Sequence, residues 1–248
     1  MHLVAIKHPP HIGWTGTGPL PATLDVPGAL AAALQAAVAT GREEAAGWAR
    51  IHPTGSINRF DRDAVANAGT PPAGDAARAD LDAVRAAKLA RTPDAVEAAV
   101  WHQQFGGWDL WANVIDELRS SHGVEQARRA ERLVNLAQAR TDAVTATVKE
   151  QFDRKRPYEV DPTIDPVVHR PDGNASFPSG HSSGAFAAAI VLAALVPERA
   201  AELMSLASQV AYSRVLGGVH FPSDVAAGAR IASRIASDVL RRDGLVAS

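Results

Sequence analysis

Apolar residues recur at intervals of three and four along most of the chain, and alanine is abundant among them. These intervals place residues on one face of an α-helix, and alanine has the highest intrinsic helix propensity. Alternation of β-branched and polar residues, which is typical of strands, is rare. The pattern predicts an all-α fold, a helical bundle core with additional N-terminal helices. The predicted helices cover residues 27–40, 42–50, 60–68, 75–91, 93–104, 107–121, 124–154, 181–196, 198–216 and 223–242.

Local signals place several helix ends. Thr92 is predicted to cap the helix that begins at Pro93, because a threonine hydroxyl accepts a backbone N–H and proline is tolerated at the first helical position. Pro157 is predicted to stop the long helix 124–154, since proline cannot continue a helix. The Gly217-Gly218 pair is predicted to end the helix that precedes it.

The chain length of 248 residues favours one domain, 1–248. Within it, residues 124–242 are predicted to form a bundle that carries the chemistry, and residues 1–120 to add accessory helices without a recognised motif. Residues 1–26 are rich in Pro, Gly and Thr and are predicted to be irregular. The segment 159–176 contains several prolines, and loops of this length are commonly functional or disordered.

Composition excludes some classes of function. The formal net charge is −2, with neither a basic tail nor a basic stretch interleaved with aromatic residues. This argues against a nucleic-acid-binding protein. The chain contains no cysteine, so disulfides, thiolate metal sites and cysteine nucleophiles are excluded.

Hydropathy predicts neither a transmembrane segment nor a signal peptide. The longest apolar run, 185–196, has about 12 residues, whereas a bilayer crossing takes roughly 20, so a buried core helix is predicted. The N-terminus lacks a basic stretch followed by a long apolar one. We therefore expect a cytoplasmic protein or, if the chain is a processed form, a secreted or periplasmic one. The sequence leaves the oligomeric state open, a homo-oligomer included.

Three short clusters carry the polar chemistry. In the first, Lys149 and Arg156 are seven residues apart, and two helical turns advance about 7.2 residues. Both side chains are therefore predicted to project from one face near the end of the helix 124–154. Taken alone, the cluster is also explained as a basic last turn that complements the helix dipole.

The second cluster, Pro178-Ser179-Gly180-His181, follows a loop and precedes an apolar helix. The free N–H groups and the positive dipole end of such a helix start face whatever the loop encloses. Gly180 permits close approach of an anion, and Ser179 adds a hydroxyl donor. His181 is placed to donate a proton to a leaving oxygen. An ordinary turn with a serine N-cap is the alternative.

The third cluster is Ser213-Arg214, followed by His220 and Asp224 at the start of the last helix. The carboxylate of Asp224 can reach one ring nitrogen of His220, fix its tautomer and leave the other nitrogen as a nucleophile. The alternative for Asp224 is an acidic residue that the dipole of the helix stabilises. Together, the three cations, the N–H groups of the turn and the two histidines are what phosphoryl transfer needs.

The clusters resemble the three-part signature of the type 2 phosphatidic acid phosphatase and vanadium haloperoxidase superfamily. That signature is a Lys, six residues and Arg-Pro; then Pro-Ser-Gly-His; then Ser-Arg, five residues, His, three residues and Asp. At roughly one chance in 20 per position, agreement at all of these positions is not expected by accident. The match covers about 75 residues of the C-terminal half, at Lys149, Arg156-Pro157, Pro178-Ser179-Gly180-His181, Ser213-Arg214, His220 and Asp224.

The resemblance implies a metal-independent phosphatase that needs no cofactor and hydrolyses phosphate monoesters or diphosphates through a phosphohistidine intermediate. It implies a small-molecule substrate, an amphipathic one included, and inhibition by vanadate or phosphate. His220 is then the nucleophile, Asp224 orients it, and His181 is the general acid and later the base. The implied phosphate-binding residues are Lys149, Arg156, Ser179, Gly180 and Arg214.

Two alternatives remain. In the haloperoxidase branch the same pocket holds vanadate, with His220 as its ligand and His181 assisting peroxide activation. We favour the phosphatase, because the chain is compact and the residues around His220 look like those of bacterial phosphatases of the family. A protein that binds a phosphorylated ligand without turnover would need only the cations, so the presence of both histidines and Asp224 disfavours it.

Other residues bear on the substrate. Trp101, Phe105 and Trp108 have helical spacing, which predicts core packing or an apolar wall for a prenyl or aryl leaving group. The loop 159–176 is our candidate for substrate selection, and His169 within it is alternatively a surface histidine. Residues close to the motifs in sequence are Tyr158, His169, Asp172, Asn174 and Phe177. No metal-ligand pattern includes His2, His8, His11, His52, His102 or His122.

Overall fold

Helices make up the regular structure of the protein in the computed structural model, which describes residues 22–171, 173 and 175–245. No strand occurs among these residues, so the predicted all-α class is confirmed. A short 3-10 helix, Pro197–Arg199, lies between the eighth and ninth α-helices. The α-helices are α1 (Gly28–Ile51), α2 (Ile57–Ala66), α3 (Gly74–Leu89), α4 (Pro93–Phe105), α5 (Asp109–His122), α6 (Val124–Phe152), α7 (Pro157–Val160), α8 (Gly180–Leu195), α9 (Ala200–Leu216) and α10 (Pro222–Arg242).

The apolar helix α8 is the centre of the bundle. After its first turn almost every residue is apolar, so no face of the helix prefers water, and α6, α9 and α10 pack around it. Phe186 and Leu192 are almost fully buried, and burial of such a side chain contributes about 1.5–3 kcal/mol. The start of α8, which carries the Pro-Ser-Gly-His turn, is thereby fixed by its neighbours.

Helix α1 corrects the prediction of two helices, 27–40 and 42–50. The helix continues through Gly41, which lies where α1 packs along α10. A Cβ at Gly41 would lie 2.3 Å from the carbonyl oxygen of Arg230. This glycine therefore permits a close helix crossing and does not mark a break.

Helix α6 ends at Phe152, two residues before the predicted end. Asp153 adopts a left-handed conformation with φ of 40°, and its N–H donates to the Lys149 carbonyl at 3.2 Å, which ends the helix. The prediction that Pro157 stops this helix is therefore wrong. Pro157 is instead the first residue of α7, where its missing N–H is not needed.

Other predicted helix ends are confirmed. The Thr92 hydroxyl accepts the N–H of Ala95 at 3.2 Å, so Thr92 caps α4 ahead of Pro93. After α9, Gly218 has a positive φ of 79°, a conformation that glycine adopts without strain. Within the described ranges, no helix has both the length and the hydropathy that a bilayer crossing requires.

The segment between α7 and α8 is attached to the N-terminal helices. Nη1 of Arg91 donates to the carbonyl of Asp165 at 2.7 Å. The side-chain oxygen of Gln103 in α4 accepts the backbone N–H of His169, also at 2.7 Å. The loop 159–176 therefore has fixed contacts along its described part. Most of the predicted irregular segment 1–26 lies outside the described residues.

Candidate functional site

The second and third clusters meet where α8 and α10 begin. The backbone N–H of Ser179 donates to the carbonyl of Asp224 at 3.0 Å, and the Ser182 hydroxyl donates to the carbonyl of Val225 at 2.7 Å. Gly228 permits this approach, because a Cβ there would lie 2.6 Å from the Ser179 carbonyl oxygen. The Pro-Ser-Gly-His turn is thus bonded directly to the helix that carries Asp224.

Arg156 joins the first cluster to the third. Its Nη1 donates to the carbonyl of Val219 at 2.7 Å and lies 3.3 Å from Nε2 of His220. The Arg214 carbonyl accepts the N–H groups of Val219 and His220, which closes the turn after α9. These bonds bring Arg156, Arg214 and His220 together.

Lys149 and Arg156 meet at the carbonyl of Ala175. It accepts hydrogen bonds from Nζ of Lys149 at 2.5 Å and from Nη2 of Arg156 at 3.4 Å. The prediction that both cations project from one helical face is wrong, because Arg156 lies in extended backbone after the end of α6. The turn at Asp153 brings the two side chains together instead.

Arg214 is a buried cation with unused hydrogen-bonding capacity. It is 1% exposed, and within the described residues its Nε and Nη1 have no hydrogen-bond partner. Burial and the nearby Arg156 lower the pKa of Arg214, since both disfavour the charged form. Burial, followed by Arg156, also lowers the pKa of Lys149 to about 8. An anion with several oxygens would neutralise this local positive field.

His220, which is 3% exposed, lies between a carboxylate and a guanidinium. Its Nδ1 is 3.3 Å from Oδ2 of Asp224, and its Nε2 is 3.3 Å from Nη1 of Arg156. An ionised carboxylate only accepts hydrogen bonds and a guanidinium only donates, so the network assigns the proton to Nδ1 and the lone pair to Nε2. The nitrogen with the lone pair therefore faces the cations.

The charge states of this pair follow from their surroundings. Burial is the main cause that lowers the pKa of His220 to about 3, and Arg156 acts in the same direction, against Asp224. The ring is therefore neutral at pH 7. Burial alone would raise the pKa of Asp224, but its interactions with His220, Arg154 and Ser176 outweigh burial and lower it.

The sequence analysis missed two partners of this pair, Arg154 and Ser176, and Asp80, which binds Arg154. Oδ1 of Asp224 accepts from Nη1 of Arg154 at 2.6 Å, and Oδ2 accepts from the Ser176 hydroxyl at 2.6 Å. Nη2 of Arg154 donates to Asp80 of α3 at 2.8 Å. The proximity of Arg154 to Arg156 in sequence was a weak signal. Asp80 lies 74 residues from Arg154 and gave no signal at all.

Ser179 and Gly180 form the start of α8. The side chain of Ser179 accepts the N–H of Ser182 at 3.4 Å, so the N-cap that the sequence offered as an alternative is present. A Cβ at Gly180 would meet no described atom within 4 Å. The backbone at Gly180 therefore has room beside it for a ligand.

His181, on the first turn of α8, is half-buried. Its Nε2 is 3.1 Å from the carbonyl of Gln103; a carbonyl only accepts, so in the neutral ring Nε2 carries the proton and Nδ1 the lone pair. Burial, followed by Arg214, lowers the pKa of His181 to about 3. His181 thus lies within the field of the same cations.

Trp101, Phe105 and Trp108 were predicted either to pack in the core or to form an apolar wall for the leaving group, and the structure divides them between these two roles. Trp101 and Phe105 pack against each other, with ring centroids 5.3 Å apart. Trp108 is not on their helix, because α4 ends at Phe105. It lines a cavity of about 200 Å³ that also contacts His181.

The remaining candidate residues are more dispersed. Phe177 is buried against Phe152, with centroids 5.6 Å apart, and His169 is exposed. The hydroxyl of Tyr158 donates to the carbonyl of Pro171 at 3.5 Å. No three His, Asp or Glu side chains of the described chain are grouped closely enough to bind one metal ion. The predicted residues that lie outside the described ones are His2, His8, His11, Asp172 and Asn174.

Residues 132–241, which contain all three clusters, match the family model of the PAP2 superfamily. This part of the chain belongs to the PAP2 superfamily. A relative, the non-specific acid phosphatase of Providencia stuartii, is 33% identical over 104 residues, which are 41% of this chain and 42% of that protein. The chain thus spans less than half the length of that relative.

Solved structures share the fold of this chain. A transmembrane PAP2-type phosphatidylglycerolphosphate phosphatase from Bacillus subtilis has a TM-score of 0.55 at 24% identity, over 76% of this chain and 94% of that one. A bacterial vanadium-dependent iodoperoxidase has a TM-score of 0.60 at 18% identity, over 70% of this chain and 51% of that one. At these identities the likeness concerns the fold alone.

Proposed function

We propose that the protein is a phosphatase that hydrolyses phosphate monoesters or diphosphates through a phosphohistidine intermediate. The observation that carries the proposal is the orientation of His220, whose Nδ1 bonds Asp224 while Nε2 faces the guanidinium of Arg156. A neutral imidazole nitrogen beside clustered cations is the arrangement that attack on a phosphate needs. The PAP2 match and the acid phosphatase relative support the same activity.

The first step is binding of the phosphoryl group. Lys149, Arg156 and Arg214 neutralise its oxygens, while the Ser179 hydroxyl and the Gly180 N–H donate hydrogen bonds. For Arg214 the anion would satisfy two buried nitrogens that otherwise have no partner in the described structure. The contacts strengthen as negative charge is redistributed over the phosphoryl oxygens in the transition state.

In the second step Nε2 of His220 attacks phosphorus, and the bond from phosphorus to the leaving oxygen breaks. The ring becomes cationic, and Asp224 stabilises this charge through the Nδ1 proton. The leaving oxygen takes a proton from Nδ1 of His181, whose Nε2–H stays on the Gln103 carbonyl. Because the pKa of His181 is about 3 in the free protein, we infer that the bound anionic substrate raises it.

In the last step water attacks the phosphohistidine. Neutral His181 accepts a proton from the water as the bond between nitrogen and phosphorus breaks. His220 regains its neutral form, and phosphate leaves. The net reaction adds one water across the ester bond. No step requires a metal ion, so we expect turnover in the presence of a chelator.

Two alternatives would use the same residues. Vanadate would be held by the three cations and by Nε2 of His220, and an iodoperoxidase shares the fold. A non-catalytic phospholigand-binding protein would need the cations only. The hydrogen bond from His220 to Asp224 fixes the tautomer that leaves Nε2 free to attack, which supports turnover over binding alone.

Phosphate release from p-nitrophenyl phosphate, a sugar phosphate and a prenyl diphosphate would test the proposal, with a chelator present and with or without vanadate. We expect release that vanadate inhibits and that the substitution His220→Ala abolishes, with phosphate binding partly kept. His122→Ala, which removes an exposed histidine of α5, is the matched control.

The outcomes separate the three hypotheses. Near-normal turnover by His220→Ala would overturn the assignment of the nucleophile. Phosphate binding without release from any substrate would favour the phospholigand-binding protein. Halogenation that needs peroxide, bromide and prior vanadate loading would favour the haloperoxidase.

A further inference from the structure

His102 of α4 is a buried histidine whose ring has no hydrogen-bond partner in the described part of the chain. It is 2% exposed, and both Nδ1 and Nε2 are buried without a donor or acceptor there. Most buried polar side chains are paired, and leaving one unpaired costs free energy. The proposed steps of catalysis do not use this ring, and His102 lies outside the residues that match the PAP2 model.

The packing of α4 on α9 places His102 level with Arg214. Just before α4, Nε of Arg91 donates to the carbonyl of the last α9 residue at 2.8 Å. Just after α4, a Cβ at Gly106 would lie 3.0 Å from Cγ2 of Val210. The two packed helices are therefore antiparallel. His102 lies one turn before Gly106 and Arg214 one turn after Val210, so the two side chains come from neighbouring turns.

The next residue of α4 also lies against the site. The backbone carbonyl of Gln103 is 3.1 Å from Nε2 of His181, the proposed proton donor. The turn of α4 that carries His102 is thus in contact with the catalytic residues on α8 as well as with α9.

His102 and the proposed phosphate position lie on different sides of Arg214. Burial is the main cause that lowers the pKa of His102 to about 4, and Arg214 is the cation that adds to it. For His181, in contrast, all three cations of the site lower the pKa. His102 is therefore near Arg214 and farther from Lys149 and Arg156. At pH 7 its ring is neutral, with one N–H and one lone pair.

Arg214 has donors to spare for such a lone pair. Its Nε and Nη1 carry three N–H bonds, and no described residue accepts any of them. A guanidinium only donates, whereas a neutral imidazole offers one acceptor. A phosphoryl group held between the three cations takes donors on its own side, and a ring on the other side can take one that remains.

We infer that His102 is a positioning residue for Arg214, whose guanidinium donates a hydrogen bond to the neutral ring when the phosphoryl group is bound. The inference rests on the proposed function in that Arg214 binds this group. Hydrogen bonds of a site are often long in the free protein and tighten in the complex, and the ring can turn about its broad χ2 minimum. The bond holds the guanidinium in one plane, so less entropy is lost when it binds the phosphoryl oxygens.

Substitutions of His102 test the acceptor. His102→Phe fills similar space without a lone pair, so phosphate affinity and kcat/KM for p-nitrophenyl phosphate should fall about tenfold or more, the effect of losing one hydrogen bond to a charged group. His102→Gln supplies an acceptor oxygen again and should keep both values within about threefold of the wild type. His52→Phe is the matched control, because this half-buried histidine also packs on a tryptophan, with ring centroids 4.9 Å apart.

Stability separates a positioning role from a structural one. Phenylalanine removes a buried polar group that has no partner in the described structure, so His102→Phe should unfold at the same urea concentration as the wild type at pH 7.5, or at a higher one. A lower urea midpoint together with unchanged phosphate affinity would show that His102 only packs, and would overturn the inference.

Nitrogen NMR of the wild-type protein tests the bond without any substitution. Titration with inorganic phosphate should shift the ¹⁵N signal of the His102 acceptor nitrogen in the direction that accepting a hydrogen bond causes. The ring signals of His52 should stay in place. This measurement requires binding and no turnover.

The outcomes distinguish this inference from the proposed function. A His102 signal that saturating phosphate leaves unchanged would overturn the positioning role, and so would equal losses in His102→Phe and His102→Gln. A shifted His102 signal without phosphate release from any ester would overturn the phosphatase activity and keep the role of His102 in anion binding. Absence of phosphate binding by the wild type would overturn both.

Discussion

Asp80 and Arg154 form a buried salt bridge, with Oδ2 of Asp80 2.8 Å from Nη2 of Arg154 and both side chains almost covered. Asp80 lies on α3, outside the region that matches the PAP2 superfamily, whereas Arg154 binds the outer oxygen of Asp224. Asp80 also accepts the backbone N–H of Ser223 at 3.1 Å, next to Asp224. A helix from the N-terminal half thus supports the carboxylate that orients His220.

We predict that Asp80→Asn lowers kcat by about 10-fold, the lower end of the losses seen when the outer partners of metal-ligating histidines are removed, because Asp80 acts on His220 through Arg154 and Asp224. The uncompensated guanidinium of Arg154 would draw Asp224 away from His220, which lowers kcat. The substitution leaves the phosphate-binding cations in place, so KM should change little. Steady-state kinetics and the ¹⁵N shift of Nδ1 in His220 would measure the two effects. The NMR signal does not depend on turnover.

The matched control is Asp82→Asn on the same helix. Asp82 is an exposed carboxylate that binds Arg85 at 2.9 Å. We expect wild-type kinetics from it. An Asp80→Asn protein with normal kcat and an unchanged Nδ1 signal would show that the salt bridge is structural only.

Removal of His181 should affect substrates according to their leaving groups. An alkoxide needs a proton as it departs, whereas nitrophenolate does not, so His181→Ala should reduce turnover of glycerol 3-phosphate by roughly 10²–10⁴-fold and of p-nitrophenyl phosphate far less. Comparison of kcat/KM for the two esters measures the difference. Equal losses would indicate that His181 only positions the phosphate.

The lowered pKa of Lys149 predicts an upper pH limit for phosphate binding. Its pKa is about 8 in the free protein, lowered by burial and by Arg156, and a bound anion would raise it. Phosphate binding should therefore weaken up to tenfold for each pH unit above about 8, as the free lysine loses its proton. Calorimetric titrations from pH 7 to 10 would show this, and Lys149→Met should bind weakly without the alkaline decline. Lys155→Met, at an exposed position, should retain it.

Buried neutral histidines predict a loss of stability in acid. Burial is the main cause that lowers the pKa of His102 to about 4, and those of His181 and His220 to about 3, against 6.5 in the unfolded chain. Between pH 6.5 and 4.5 the unfolded state binds protons that the native state does not, so stability falls as pH falls, by up to about 1.4 kcal/mol per pH unit for each histidine.

Urea unfolding at pH 7.5, 6.0 and 4.5 would measure this loss, with the full histidine contribution present above pH 6.5. His102→Phe should reduce the pH dependence, because it removes one buried group that titrates only when unfolded. His122→Phe, at an exposed histidine, should not reduce it. Added phosphate should oppose the acid loss by binding the native site. Equal stability at pH 7.5 and 4.5 would contradict the prediction.

The sequence by itself determined the helical class, the cap at Thr92 and the three clusters that make up the site. These features depend on local periodicity, on the chemistry of single positions and on short fixed spacings. The four-residue interval that lets Asp224 reach His220 is of this kind, because one helix start fixes both residues. Residues 132–241, which contain these intervals, match the family model of the PAP2 superfamily.

Only the tertiary structure decided how the clusters meet and what surrounds them. Lys149 and Arg156 converge through a left-handed turn at Asp153, not through the helix period, and Gly41 lies within a helix because α10 needs a close approach there. The salt bridge of Asp80 with Arg154 and the cavity beside His181 form through contacts between segments far apart in the chain. Such contacts arise from packing, which no local pattern encodes.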